Sequence, residues 1–169
     1  MNASHASSPR SRLHATRVIQ RLALLLLLAS SASCTTSTAV GRSAQELELA
    51  RNRQRWVSAR IHDYEFDFRR SCFCLPDATE QVHIVVRNDV ITSVVRTRDG
   101  QPASTQFTVW PRVDELFADV QQLLEQPAER LDVQYDPTFG YPRTIVADII
   151  LMAVDDEYSL TAGNLRRLN

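Results

Sequence analysis

The sequence predicts an α+β domain: an antiparallel meandering β-sheet with two helices packed on one face. Three observations lead there. Period-two alternation begins at Tyr64, two apolar runs flank Asn88 and Asp89, and an apolar stripe of helical spacing runs from Val113 to Leu124. Consecutive hairpins call for an antiparallel sheet, and each amphipathic helix needs a sheet face against which to bury its stripe.

The first helix is expected to open at Ser43 and Glu46, which have capping-box spacing, and to run to about Arg60. Leu47, Ala50, Gln54, Val57 and Ile61 recur at near-helical intervals, with Trp56 adding bulk. From Tyr64 the apolar side chains Phe66, Phe68, Cys72 and Cys74 share one parity, and Glu65, Asp67, Arg69 and Ser71 share the other. That pattern is a half-buried strand, with Arg70 interrupting the apolar set at a place where a bulge could form. Two further strands, Gln81 to Arg87 and Val90 to Arg96, are joined by Asn88 and Asp89, residue types that accept positive φ in a two-residue turn.

Arg98 to Thr105 reads as a loop. Val113, Leu116, Phe117, Val120, Leu123 and Leu124 then form the second helix, with Pro111 just ahead and Asp114 and Glu115 complementing its N-terminal dipole. Leu131, Val133 and Tyr135 alternate as a strand, and Asp136 to Gly140 is a turn built on Pro137 and Gly140. Strands follow over Tyr141 to Leu151 and Glu157 to Thr161.

Ahead of the domain, Arg10, Arg12, Arg17 and Arg21 lead into the apolar run Leu22 to Ala29, then small residues, then Cys34. A basic, an apolar and a small-residue segment in that order make an export signal, and the apolar run is too short for the roughly 20 residues of a membrane span. The organisation expected is therefore a signal peptide over 1–33, a flexible tether over 34–42 and one domain over 43–169. Ser31 to Cys34 resembles a bacterial lipobox, with Ser31 where leucine is usual, and lipidation of Cys34 would hold the domain at a bilayer through its acyl chains. Cleavage after Ser31 or Ser33 is the alternative and would release a soluble secreted or periplasmic protein.

All nineteen basic residues are arginine. Beyond Cys34 twenty acidic residues face fifteen arginines, a balance that argues against a nucleic-acid partner, which requires a basic face.

With Cys34 lipidated, Cys72 and Cys74 remain as a pair in an oxidising compartment. At i and i+2 of a straight strand their Cα atoms lie about 6.5–7 Å apart, the upper edge of disulfide geometry, so bonding requires the strand to bend. Three readings stay open: a staple at a strand end, a thiol–disulfide redox pair, or a metal site completed by His83 and His62. Asp148 with Asp155, Asp156 and Glu157 offers oxygen ligands but lacks the alternating ligands and central glycine of a calcium loop. Tyr135, Asp136, Pro137, Phe139, Gly140, Tyr141 and Pro142 gather aromatic and rigid residues in one loop. That is either a contact surface or turn chemistry with core tyrosines.

Trp56 followed by Tyr64 to Phe66, Arg70 to Pro76, Asp114 to Phe117, Tyr135 to Pro142, and Asp148 followed by Val154 to Tyr158 form an ordered set. In that set the chain resembles an uncharacterised bacterial family of exported proteins, domain of unknown function 6174, over roughly Trp56 to Leu168. The resemblance implies export, often as a lipoprotein, and no activity.

The expectation is thus a lipid-anchored envelope protein acting as a non-catalytic binding domain without a cofactor. Its partners would be the membrane, through the anchor, and an envelope protein or component. The alternative is a thiol-redox or metal-handling protein built on Cys72 and Cys74.

Overall fold

The structure is a computed structural model that describes residues 36–104, 110–126, 128–148 and 157–169, with backbone alone at 36–40. The chain divides into two compact units, Met1–Gly41 and Arg42–Asn169. Of the first, only the opening of a helix is described; the expected export signal and Cys34 lie outside the described residues.

The element order is α1 (Thr36–Ala59), β1 (Tyr64–Cys72), α2 (Pro76–Thr79), β2 (Val82–Arg87), β3 (Val90–Arg96), α3 (Val113–Glu125), β4 (Arg130–Tyr135), β5 (Pro142–Asp148) and β6 (Tyr158–Arg167). The six strands form one antiparallel sheet in the order β3-β2-β1-β6-β5-β4. The fold is α+β, as expected, but the sheet is two three-stranded meanders rather than one. The connection through α3 carries the chain back across the sheet, so that the last strand pairs with the first.

The apolar parity of each strand faces the helices. Phe66 and Phe68 of β1, Val82, Ile84 and Val86 of β2, Ile145 of β5 and Leu160 of β6 join Leu49 and Trp56 of α1 and Val113, Leu116, Phe117 and Val120 of α3 in one buried cluster. Two helices therefore share one face. Each fully buried Phe or Leu contributes about 1.5–3 kcal/mol of burial free energy, which makes this cluster the main source of stability. The other face, with Glu65, Asp67, His83 and Thr161, is open to solvent.

α1 differs from the expectation in two ways. It begins seven residues early, so the last part of the expected tether, from Thr36, is helical. It also presents a different stripe. Leu49, Asn52 and Trp56 are buried, whereas Leu47 and Val57 are 57% and 66% exposed. The periodicity of this helix is shallow, and the bulk of Trp56, set edge-on to Tyr64 at 5.4 Å between centroids, fixes which side turns inward.

The tight turn at Asn88 and Asp89 has positive φ at both residues, 49° and 60°, as its residue types predict. α3 starts where the backbone N–H of Arg112 donates to the Glu115 carboxylate at 2.6 Å and that of Val113 donates to the buried Tyr64 hydroxyl at 3.1 Å. Burial outweighs this hydrogen bond and pushes the Tyr64 phenol up to about 12.

Candidate functional site on the open sheet face

The middle of the open face carries an ordered polar network. β1 and β2 pair with Asp67 opposite His83, as strand parity requires, and the imidazole Nδ1 lies 2.8 Å from Asp67 Oδ1. The other ring nitrogen, Nε2, lies 3.4 Å from Glu65 Oε2. Glu65 is also paired with the guanidinium of Arg166 on β6. Both imidazole nitrogens thus face carboxylates, so His83 ties β2 to two positions of β1.

The fifth member of the network comes from a bulge. The β1–β6 register shifts between Glu65, opposite Arg166, and Asp67, opposite Gly163, so β6 holds one more residue than β1 over this step. Asn164 sits at this irregularity with φ of 54°, a left-handed conformation uncommon outside glycine and tolerated best by Asn and Asp. Its side-chain amide donates to Asp67 Oδ2 at 2.8 Å. Burial raises the Asp67 carboxyl, but the hydrogen bonds from Asn164 and His83, helped by the charges of His83 and Arg166, outweigh it and hold the group below the ordinary carboxylate value.

Beside Asp67 lies a hollow of ≈ 320 Å³ bordered by Arg69, Gln81, Thr161, Gly163 and Asn164. Gly163 contributes no side chain to it, and a Cβ there would meet nothing within 4 Å. Arg69 is exposed and makes no ion pair among the described residues. A second hollow, of ≈ 470 Å³, follows along the same two strands at Ser71 and Ser159 and reaches Phe73.

Cys72 and Cys74 are disulfide-bonded. The strand ends at Cys72, and the backbone N–H of Cys74 donates to the Cys72 carbonyl at 2.9 Å. This tight turn brings the two Cα atoms to 5.2 Å, inside the range a straight strand misses. His83 is not brought to the sulfurs. It lies opposite Asp67, five residues before Cys72, about 16 Å along the strand at ~3.3 Å per residue. His62 is paired with Asp89 at 2.7 Å, beyond the opposite end of β1. Among the described residues no group of three His, Cys, Asp or Glu side chains is placed to hold a metal ion.

The Tyr135 to Pro142 loop turns its aromatic residues inward. Tyr141 is 3% exposed and packs edge-on against Trp56, and Pro142 and Gly140 are buried. Tyr135 and Phe139 pack against the core, with Arg167 stacked over the Phe139 ring at 4.9 Å. Burial raises the phenols of Tyr135 and Tyr141. Asp136 organises the turn by accepting the N–H groups of Thr138 and Phe139, at 2.9 and 2.7 Å, leaving Pro137 and Thr138 exposed. The loop's aromatic residues therefore pack largely against the core, with Tyr135 and Phe139 half-buried. Of the acidic run, Asp155 and Asp156 lie outside the described residues.

Sequence reasoning placed Glu65 and Asp67 on the solvent parity and set His83 in the neighbouring strand, but it did not assemble the network. His83 opposite Asp67 follows from the register of the β1–β2 pairing. Asn164 and Arg166 carry no local signal, because they reach the network only through the pairing of the first and last strands.

No curated protein and no solved structure matches this chain. A family model matches residues 48–167, which span β1 to β6 and the second half of α1, and the chain belongs to this family of unknown function, DUF6174.

Proposed function

We propose that this protein is an exported, lipid-anchored envelope protein whose domain is a binding module, and that its recognition surface is the open face of the sheet around Asp67. The observation that carries the reading is the left-handed Asn164, which spends backbone strain to fix Asp67 beside a hollow floored by Gly163. Non-glycine residues in sparsely populated backbone regions cluster at ligand clamps and similar sites. The residues bordering the hollow supply donors from Arg69, Asn164 and Gln81 and a hydroxyl from Thr161, a set suited to a polar ligand. A binding rather than a catalytic role is supported by the placement of His83, whose two ring nitrogens both face carboxylates of β1.

Two measurements test this. Palmitate labelling that requires Cys34 supports the anchor, and an unlabelled mature chain overturns it. A photo-crosslinking side chain at Thr161 should give a discrete adduct in cells, while the same group at exposed Ser58 on α1 gives none. Equal labelling at both positions, or none at Thr161, overturns the open face as the recognition surface.

The thiol-redox alternative draws on one observation, the exposed Cys74 end of the Cys72–Cys74 bond. Equilibration against glutathione buffers separates the two readings. A pair that exchanges within the range of envelope redox couples supports redox chemistry, and one that stays oxidised is a staple.

A further inference from the structure

The disulfide turn exposes the only adjacent large apolar side chains among the described residues. Phe73 is 83% and Leu75 58% exposed, whereas Leu47, Val57 and Val90 stand apart on other elements. The turn is rigid by construction. It is closed by the Cys72–Cys74 bond and by the Ala78 N–H donating to the Leu75 carbonyl at 2.9 Å, and it is seated on buried Ala78 of α2. Two apolar side chains held in one orientation lose little entropy on burial, which favours insertion over collapse onto the protein's own surface.

The position of this turn matters more than its exposure. Trp56 near the end of α1 packs on Tyr64 at the start of β1, so Arg42 and Gln45, earlier in α1, lie toward the other end of the sheet. Arg42 donates to the Leu124 carbonyl at the end of α3, and Gln45 donates to the Leu131 carbonyl at the start of β4. Leu131 pairs with Ala147, Ala147 with Tyr158, and Tyr158 with Cys72. One row across four strands therefore joins the place where the chain enters the domain to the disulfide turn, a span of about 15 Å at ~4.8 Å per strand. Cys34 precedes Arg42 by eight residues, which reach at most about 28 Å when fully extended. Acyl chains on Cys34 would thus keep this end of the domain close to the bilayer.

We propose that Phe73 and Leu75 dock into the interfacial layer of that bilayer, so that the domain rests on the membrane by its disulfide turn and leaves the opposite end, with Val90, in the aqueous phase. The proposal rests on the lipid-anchored reading. Its chemistry is apolar rather than ionic. The exposed Asp77 disfavours attraction to anionic headgroups, and nearby Glu80 is neutralised by Arg98 at 2.9 Å. Two side chains do not recruit a free domain; they orient one that an anchor already holds.

The test uses the full-length mature protein, lipidated in its host, reconstituted in phosphatidylcholine vesicles with brominated acyl chains, carrying F73W, L75W or V90W. The native Trp56 and Trp110 are buried and form a common background. Quenching of F73W and L75W several-fold above that of V90W is expected, and equal quenching at the two ends overturns the docking. Mass analysis of the Cys34 peptide runs alongside. A missing lipid overturns the anchor and the docking together, whereas a lipid present with F73W and L75W unquenched overturns the docking alone.

Discussion

Asn164 donates its side-chain amide to Asp67 at 2.8 Å across the β1–β6 pairing. That pairing is the seam between the two meanders, since β1 belongs to the first and β6 to the second. On the buried side the seam is closed by Phe66, Phe68, Leu160 and Ala162. On the open side it is closed by the bond from Asn164 to Asp67 and the ion pair between Arg166 and Glu65. A single network therefore clamps the seam and shapes the hollow, so stability and recognition meet in the same side chains.

The lowered Asp67 carboxyl makes a pH prediction. A carboxylate whose folded value lies below its unfolded one stabilises the fold fully above the unfolded value, close to the ordinary 3.8. That contribution is lost as pH falls below 3.8 and through the folded value. Urea unfolding followed from pH 6 downward should show wild type losing stability in this acid range, and D67N should lose less over the same range. Parallel profiles for the two proteins would remove Asp67 from the acid response.

At Asn164 two effects can be separated by substitution. N164A and N164G both remove the hydrogen bond to Asp67, but only alanine must hold φ of 54° with a Cβ. The left-handed conformation costs an ordinary L-residue about 1–2 kcal/mol. N164A should therefore be the less stable of the two by about 0.5–1 kcal/mol, the balance left once the extra entropy glycine loses on folding is subtracted. Equal denaturation midpoints would show that the bulge relaxes when its side chain is lost.

Gly140 is fixed by a contact that no local pattern announces. Its φ is 79°, and a Cβ there would lie 2.5 Å from the backbone oxygen of Asn52 in α1. Close approach of the Asp136 to Tyr141 turn to that helix thus needs glycine twice, for conformation and for space. G140A should cost at least the ~1–3 kcal/mol of a strained backbone position, with more from displacing α1. Thermal unfolding measures it, and a change within ~0.5 kcal/mol, the range of an ordinary surface substitution, would contradict the packing.

What was legible in the sequence was local. Alternation over Tyr64 to Phe68 named the buried face of β1, Asn88 and Asp89 named a turn of positive φ, and the stripe from Val113 to Leu124 placed α3. What was not legible depended on partners distant in the chain. Strand parity says which side chains share a face but not which strand lies alongside, so the β1–β6 seam, Asn164 and the hollow stayed hidden. The buried stripe of α1 was misplaced because it includes a polar residue, Asn52, whose side chain donates to the Glu48 carbonyl at 3.0 Å and whose backbone meets Gly140. The Tyr135 to Pro142 loop carried the composition of a contact surface, yet the same aromatic residues serve equally well as core once Trp56 lies beside them.

The Cys72–Cys74 bond closes a very short loop, and that limits what it can contribute to stability. In the chain-entropy account a cross-link stabilises by restricting the unfolded ensemble, by an amount that grows with the logarithm of loop length. For a loop of about three residues this amounts to ~1.6 kcal/mol. The double variant C72S/C74S should accordingly fold, with its unfolding free energy in urea lowered by no more than about 1.6 kcal/mol. The effect on the turn should be larger than the effect on the fold, because Cys72 is the last residue of β1 and the turn beyond it is otherwise closed by one backbone hydrogen bond of 2.9 Å from Cys74 to Cys72. Amide hydrogen exchange should therefore quicken from Phe73 to Leu75 in the variant and stay unchanged at Phe66 and Ile84. Loss of protection at those core strands would make the bond a determinant of the sheet instead of a staple on its exposed tip.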